Sequence, residues 1–81
     1  MERVIKLKFP FQFEGKTIEE IKVRPAKIKE VKDAESKFPK DSLERNIYLL
    51  SKISGVAIEA IEEMAEPDYV KILEEYNSFF Q

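Results

Sequence analysis

Carboxylates are the most abundant side chains here that could do chemistry, with 16 Asp and Glu residues in the chain. Paired carboxylates serve hydrolases and hold divalent cations, but "EAIEEMAEPD" lacks the alternating Asp/Asn ligands and central glycine of a calcium loop. The chain has no histidine and no cysteine. Ser51, Ser54 and Ser78 therefore have no imidazole to activate them, and zinc, iron–sulfur and thiol chemistry is excluded. We expect no enzyme activity, no cofactor and no metal site.

DNA recognition is a second chemistry to consider, because "SKISGVAIEAIEEM" reads as two short helices joined at Gly55. The second helix would have to enter the DNA groove, yet it carries Glu59, Glu62 and Glu63 and no Lys or Arg. Phosphates repel carboxylates, so we do not expect this helix to bind DNA. Gly55 is better interpreted as a structural hinge that closes the first helix with a positive φ.

The net charge of −2 hides an asymmetry between the two halves of the chain. Residues 1–40 carry 11 Lys/Arg and 7 Asp/Glu, whereas residues 41–81 carry 3 and 9. This leaves open an alternative function, a small nucleic-acid-associated regulator that uses its basic N-terminal half. We expect no exposed aromatic side chains on which bases could stack beside the basic residues, because the Phe residues are needed in the core. The cations are Lys6, Lys8, Lys22, Arg24, Lys27 and Lys29.

Aromatic side chains near the end of the sequence are the remaining candidates, and they favour binding. Tyr69, Tyr76, Phe79 and Phe80 fall on the last predicted helix, where a small domain usually uses such residues for its core. Phe79 and Phe80 fall on a last turn where burial is hard to secure. We therefore expect an apolar docking surface there. The thin core of an 81-residue chain also favours partners or self-association.

A β-hairpin is predicted to open the chain. Apolar residues alternate with others in "VIKLKFPFQF", which predicts a half-buried strand, and Pro10 places it at an edge or a bulge. "EGKT" supplies a turn and "IEEIKV" the returning strand, whose alternation slips between Ile18 and Ile21. We expect a β-bulge at Glu19 or Glu20 to correct this slip. The bulge would set three core residues opposite three phenylalanines: Ile18, Ile21 and Val23 opposite Phe13, Phe11 and Phe9, respectively.

Helical periodicity follows the hairpin. Pro25 suits a first helical turn, and apolar residues beginning with Ile28 recur at helical spacing until Pro39. "DSLE" predicts a second helix with Asp41 as its N-cap, and Gly55 ends it. "VAIEAIEEM" predicts a short third helix, and "PDYVKILEEYNSFF" predicts a fourth that runs almost to the end of the chain.

Together these elements predict a single α+β domain. A β-hairpin over residues 1–24 would pack on a bundle of three to four short helices over residues 25–81. We find no cleavable leader and no run of about 18 apolar residues, so we expect a cytoplasmic protein that does not enter the membrane.

Three residue pairs mark a resemblance to a known family. Ser54-Gly55, Asp68-Tyr69 and Phe79-Phe80 lie within "LLSKISGVAIEAIEEMAEPDYVKILEEYNSFF", which follows "GKTIEEIKVRPAKIKEVKDAE". The chain thereby resembles the small tail assembly chaperones of long-tailed bacteriophages, in particular those of Mu-like phages and prophages. The resemblance implies a protein that coats the aggregation-prone tape measure protein and recruits tail tube subunits in the bacterial host cytoplasm.

Overall fold

The computed structural model describes residues 1–81 and consists of a two-stranded antiparallel hairpin and four helices. This arrangement confirms the predicted α+β fold. None of the helices is both long and apolar enough to cross a membrane. The elements are β1 (Arg3–Phe13), β2 (Lys16–Val23), α1 (Ile28–Lys37), α2 (Leu43–Ser54), α3 (Ile58–Glu62) and α4 (Glu66–Asn77), followed by a 3-10 turn (Ser78–Phe80).

The hairpin is irregular midway along its length, but the extra residues lie on β1. Lys6 faces Glu20 and Phe11 faces Ile18, and between these pairs β1 has four residues where β2 has only Glu19. The predicted bulge at Glu19 or Glu20 is therefore placed on the wrong strand, although Ile18 does pack against the core. The cross-strand partners also differ from the prediction: Ile18 faces Phe11, Ile21 faces Ile5 and Val23 faces Arg3.

The extra residues turn part of β1 away from the core. Phe9 is 48% exposed and Pro10 is exposed, so the predicted inward alternation is interrupted after Leu7 and resumes at Phe11, which packs against the core. Proline has no N–H to give to a neighbouring strand, which suits it to this irregular position. Asp68 of α4 takes the place of a strand partner, because its Oδ1 and Oδ2 accept hydrogen bonds from the N–H groups of Lys8 at 2.8 Å and Phe9 at 2.9 Å.

The hydrophobic core lies between one face of the hairpin and α2, α3 and α4. A two-stranded hairpin is marginal alone in water, and the helices supply the apolar surface that it needs. Each side chain that is fully buried here contributes about 1.5–3 kcal/mol to folding. The central cluster comprises Ile5, Leu7, Ile21, Val23, Leu50, Ile53, Ile61, Met64 and Ile72.

The first helix starts later than predicted, and its first residue faces water. α1 begins at Ile28 rather than at Pro25, and the Lys27 N–H just before it donates to Glu30 Oε1 at 2.9 Å. This bond satisfies one of the free donors at the helix start. Ile28 is 82% exposed, although it begins the run of apolar residues at helical spacing.

The second helix is capped at both ends. Ser42, not the predicted Asp41, is the N-cap, since Ser42 Oγ accepts a hydrogen bond from the Arg45 N–H at 3.1 Å and Asp41 has a φ of 63°. At the other end Gly55 has a φ of 72°, and its N–H donates to Ser51 O at 3.0 Å. This left-handed conformation confirms the prediction for Gly55. Its role as a hinge between α2 and α3 stays a prediction.

Candidate partner-binding groove

An open apolar groove of about 500 Å³ lies between α1 and α4, with α2 beneath it. α1 packs on α2 and has few contacts with α4, which leaves a gap between them. Most of the lining is hydrophobic. Its floor consists of the buried side chains of Leu49, Leu50, Ile53 and Ile72. We call this the α1–α4 groove.

Two strongly exposed hydrophobic side chains mark the two walls of the α1–α4 groove. Ile28 of α1 is 82% exposed, and Phe80 of the 3-10 turn after α4 is 79% exposed. Large apolar side chains left in water beside an apolar groove are typical of a binding surface. A partner that covered both would gain about 1.5–3 kcal/mol from each.

Polar contacts hold α1 against α2 and so keep the first wall of the groove in place. The Asp33 carboxylate accepts hydrogen bonds from the Tyr48 hydroxyl at 2.7 Å and from Lys37 Nζ at 2.9 Å. The hydroxyl and then the ammonium lower the pKa of Asp33 to about 2. In turn, Tyr48 and Asp33 raise the pKa of Lys37. The ring of Phe38 packs on that of Tyr48 with centroids 5.5 Å apart.

A second set of contacts joins the start of α1 to α4. The Tyr76 hydroxyl accepts a hydrogen bond from the Ala26 N–H at 3.2 Å. Beside it, the two terminal nitrogens of the Arg24 guanidinium donate hydrogen bonds to the two oxygens of the Glu30 carboxylate, at 2.9 and 2.7 Å. This pairing lowers the pKa of Glu30 to about 2, helped by the Lys27 N–H, and raises the pKa of Arg24. The segment between β2 and α1 is thus anchored, which sets the separation of the two walls.

The four aromatic residues that were predicted to bind a partner do not lie on one common surface. Tyr76 and Phe80 line the α1–α4 groove, with ring centroids 5.9 Å apart. Phe79 instead packs against the core, and the Arg3 guanidinium lies 5.0 Å from the centre of its ring. Tyr69 also packs against the core and does not line the α1–α4 groove. The structure therefore brings two of the four residues together at the groove.

Tyr69 lines a second, smaller groove of about 350 Å³ beside α2, α3 and the start of α4. Leu43, which is 57% exposed, and Ile47 contribute to its apolar lining. The Tyr69 hydroxyl is buried without a hydrogen bond. Burial raises its pKa, and Asn46 lies close enough to offset part of this rise without reaching hydrogen-bond geometry. We call this surface the α2–α3 groove.

Sequence reasoning missed the surroundings of two residues, Ile28 at the α1–α4 groove and Asp68 against β1. Ile28 has the spacing of a core residue, and spacing identifies an apolar face without showing whether another element covers it. Asp68 has the sequence position of a residue that complements a helix dipole, yet it is buried against β1. No local signal in the sequence links Asp68 to a strand 59 residues away.

Carboxylates interrupt the basic residues that the nucleic-acid alternative would use. Arg24 is bound to Glu30, and Lys6 lies across the hairpin from Glu20. Phosphate binding favours cations that are free to neutralise several charges along a backbone. The hairpin does not offer an uninterrupted row of such cations.

The comparison with protein families decides among these interpretations. Residues 4–81, nearly the whole chain, match the family described as "Phage tail assembly chaperone proteins, E, or 41 or 14". The chain belongs to the phage tail assembly chaperone family. This confirms the resemblance carried by the Ser54-Gly55 and Asp68-Tyr69 pairs, and it gives the chaperone a role in tail assembly. No curated protein and no solved structure matches the chain.

Proposed function

We propose that this chaperone binds the tape measure protein and tail tube subunits during tail morphogenesis in the host cytoplasm, without enzyme activity or a cofactor. Membership of the tail assembly chaperone family supports the setting. The observation that carries the proposal is the α1–α4 groove, in which exposed Ile28 and Phe80 flank a buried apolar floor. Such a surface suits a protein that shields apolar segments of another chain.

An amphipathic helix of the tape measure protein fits the α1–α4 groove best. The groove lies between two helices and over a third, so a partner helix laid in it would complete a bundle. Its apolar face would cover Ile28 and Phe80 and would itself be removed from water. The α2–α3 groove, with exposed Leu43, offers a separate surface for tail tube subunits.

Co-expression with a candidate tape measure protein tests the proposal. The readout is the fraction of tape measure protein that stays soluble and that co-purifies with the chaperone. We expect Ile28→Asp and Phe80→Asp to lower both values strongly, because a carboxylate on either wall opposes an apolar partner. Val70→Asp is the matched control, since Val70 is 45% exposed on α4 and lines neither groove.

Thermal melting of each isolated variant separates loss of binding from loss of folding. All three substitutions replace exposed side chains, so their melting temperatures should agree closely. If Ile28→Asp and Phe80→Asp keep the tape measure protein as soluble as Val70→Asp does, the α1–α4 groove is not its binding site. Leu43→Asp examines the α2–α3 groove in the same assay with tail tube protein. Retention on nucleic acid that disappears as salt rises would support the regulator instead.

A further inference from the structure

The two outer edges of the hairpin differ in whether side chains form hydrogen bonds with the strand backbone. α4 covers the outer edge of β1, where Asp68 accepts hydrogen bonds from Lys8 and Phe9 and where Lys71 Nζ lies 3.4 Å from Lys6 O. α2 contacts β2, but no side chain forms a hydrogen bond with the backbone of β2 along its outer edge. Apart from the groups that pair with β1, no backbone N–H or C=O of β2 has a hydrogen-bond partner in the chain. An open edge of an eight-residue strand is a template for another strand.

We infer that β2 pairs antiparallel with β2 of a second copy of this chain, around a two-fold axis at Ile21. The order of side chains along the strand supports a second copy as the occupant. Glu20 and Lys22 are exposed, whereas Ile21 and Val23 are buried on the core face. Residues paired across a sheet share a face, so a symmetric pairing has to be centred on a residue and not between two residues.

Charge and regularity then select one centre. Centring on Ile18 would set Glu20 opposite Lys16 of the second copy, but Ile18 lies on the turn side of the irregularity in the hairpin, whereas Ile21 lies in its regular part. A pairing centred on Glu20 would set two carboxylates opposite each other, and one centred on Lys22 would set two ammonium groups opposite each other. Centring on Ile21 puts Glu20 opposite Lys22 of the second copy, twice because of the symmetry. Opposite charges across a sheet stabilise the pair and like charges destabilise it. Glu20 lies opposite Lys6 of β1, but neither Glu20 nor Lys22 forms an ion pair within its own chain, so both can make this contact.

The pairing would convert two marginal hairpins into one four-stranded sheet with the strand order β1-β2-β2-β1. A sheet of three or more strands on helices is more stable than a two-stranded ribbon. The interface is isologous, which is the commonest way in which protein copies associate. The inference rests on the open edge and its charges, and it holds whichever groove receives the tape measure protein.

Sedimentation equilibrium of the isolated protein tests the pairing. We expect a monomer–dimer equilibrium in which Lys22→Glu weakens dimerisation by roughly tenfold, because two attractive pairs become repulsive. The double exchange Glu20→Lys with Lys22→Glu should restore it. Lys40→Glu is the matched control, since it makes the same charge change on an exposed turn residue. Thermal melting of each monomeric variant checks that the hairpin still folds.

Cysteine cross-linking tests the register, because the chain has no cysteine of its own. A mixture of Glu20→Cys and Lys22→Cys proteins should oxidise to a mixed disulfide faster than either variant alone. The mixed pair lies directly opposite at about 5 Å between Cβ atoms, whereas like pairs lie on a diagonal of about 7–8 Å. A protein that stays monomeric at millimolar concentration overturns the inference. So does a dimer that Lys22→Glu weakens no more than Lys40→Glu, or one whose like cysteines cross-link fastest.

Discussion

Asp68 Oδ2 accepts a hydrogen bond from the backbone N–H of Phe9 at 2.9 Å, although 59 residues separate the two along the chain. The other oxygen of the same carboxylate binds the neighbouring N–H of Lys8. One side chain of α4 therefore satisfies two backbone donors on the irregular part of β1. Asp68 is only 2% exposed, so water cannot replace it without local opening.

Replacing Asp68 by Ala should destabilise the protein by about 2–4 kcal/mol, because each of the two N–H groups loses its partner at a cost of about 1–3 kcal/mol. Asp68→Asn keeps one carbonyl acceptor and should cost less. Urea unfolding measures both. Glu74→Ala, an exposed position on the same helix, serves as the control. An Asp68→Ala protein as stable as the control would mean that the carboxylate does not hold β1.

Replacing Gly55 by Ala should cost about 1 kcal/mol, because a side chain disfavours the φ of 72° found there. No neighbouring atom lies within 4 Å of the new Cβ, so the cost is conformational and not steric. Gly55→Asn should recover part of the loss, since Asn tolerates this conformation better. Unfolding free energies that do not differ among the three proteins would contradict the assignment of Gly55 as a left-handed cap.

Acid should destabilise the protein through Glu30 and Asp33. The pKa of each is about 2 in the folded protein, below ordinary values of 4.5 and 3.8. A lowered pKa in the folded state stabilises the protein above the unfolded pKa, and this stabilisation is lost as the pH falls from about 4.5 towards about 2. Melting temperature measured between pH 6 and pH 2 should therefore fall less steeply for Glu30→Gln and Asp33→Asn than for the unmodified protein. Glu62→Gln, which has no ion-pair partner, should leave the slope unchanged.

The two terminal phenylalanines should separate stability from binding. Phe79→Ala should destabilise by about 1–3 kcal/mol, because the ring packs against the core and under Arg3. Phe80→Ala should change stability by less than about 0.5 kcal/mol, because the ring is 79% exposed. The sequence alone predicts the same behaviour for both residues. Equal melting temperatures for the two variants would show that Phe79 is not part of the core.

Patterns within a few residues were enough to predict the hairpin, the four helices and the conformation of Gly55. The strand that carries the extra residues was predicted only in part, because Pro10 indicated an edge or a bulge on β1 whereas the slip in β2 favoured a bulge at Glu19 or Glu20. The slip in the alternation between Ile18 and Ile21 shows that the strand pairing is irregular. The same slip would arise whether the extra residues lay on β1 or on β2. In the structure, Pro10 lies within the irregular part of β1, and Asp68 binds the backbone of that part from a helix at the other end of the chain.

The candidate site was predictable only in part, for a related reason. Tyr69 and Tyr76 are seven residues apart, which puts them on the same side of a helix. They nevertheless line different grooves, and residues of α2 contribute to the lining of both. Helical spacing can place residues on a face, but only the packing of the other helices shows how that face is divided.

Because the Asp68 carboxylate binds them, the backbone amides of Lys8 and Phe9 depend on the docking of α4 against β1. The turn end of the hairpin can form from neighbouring residues alone, whereas the N–H groups of Lys8 and Phe9 are protected only while α4 lies against β1. Closing a loop of about 60 residues is slow compared with forming a short hairpin. Hydrogen exchange at these two amides therefore follows the docking of a helix, although both amides belong to a strand.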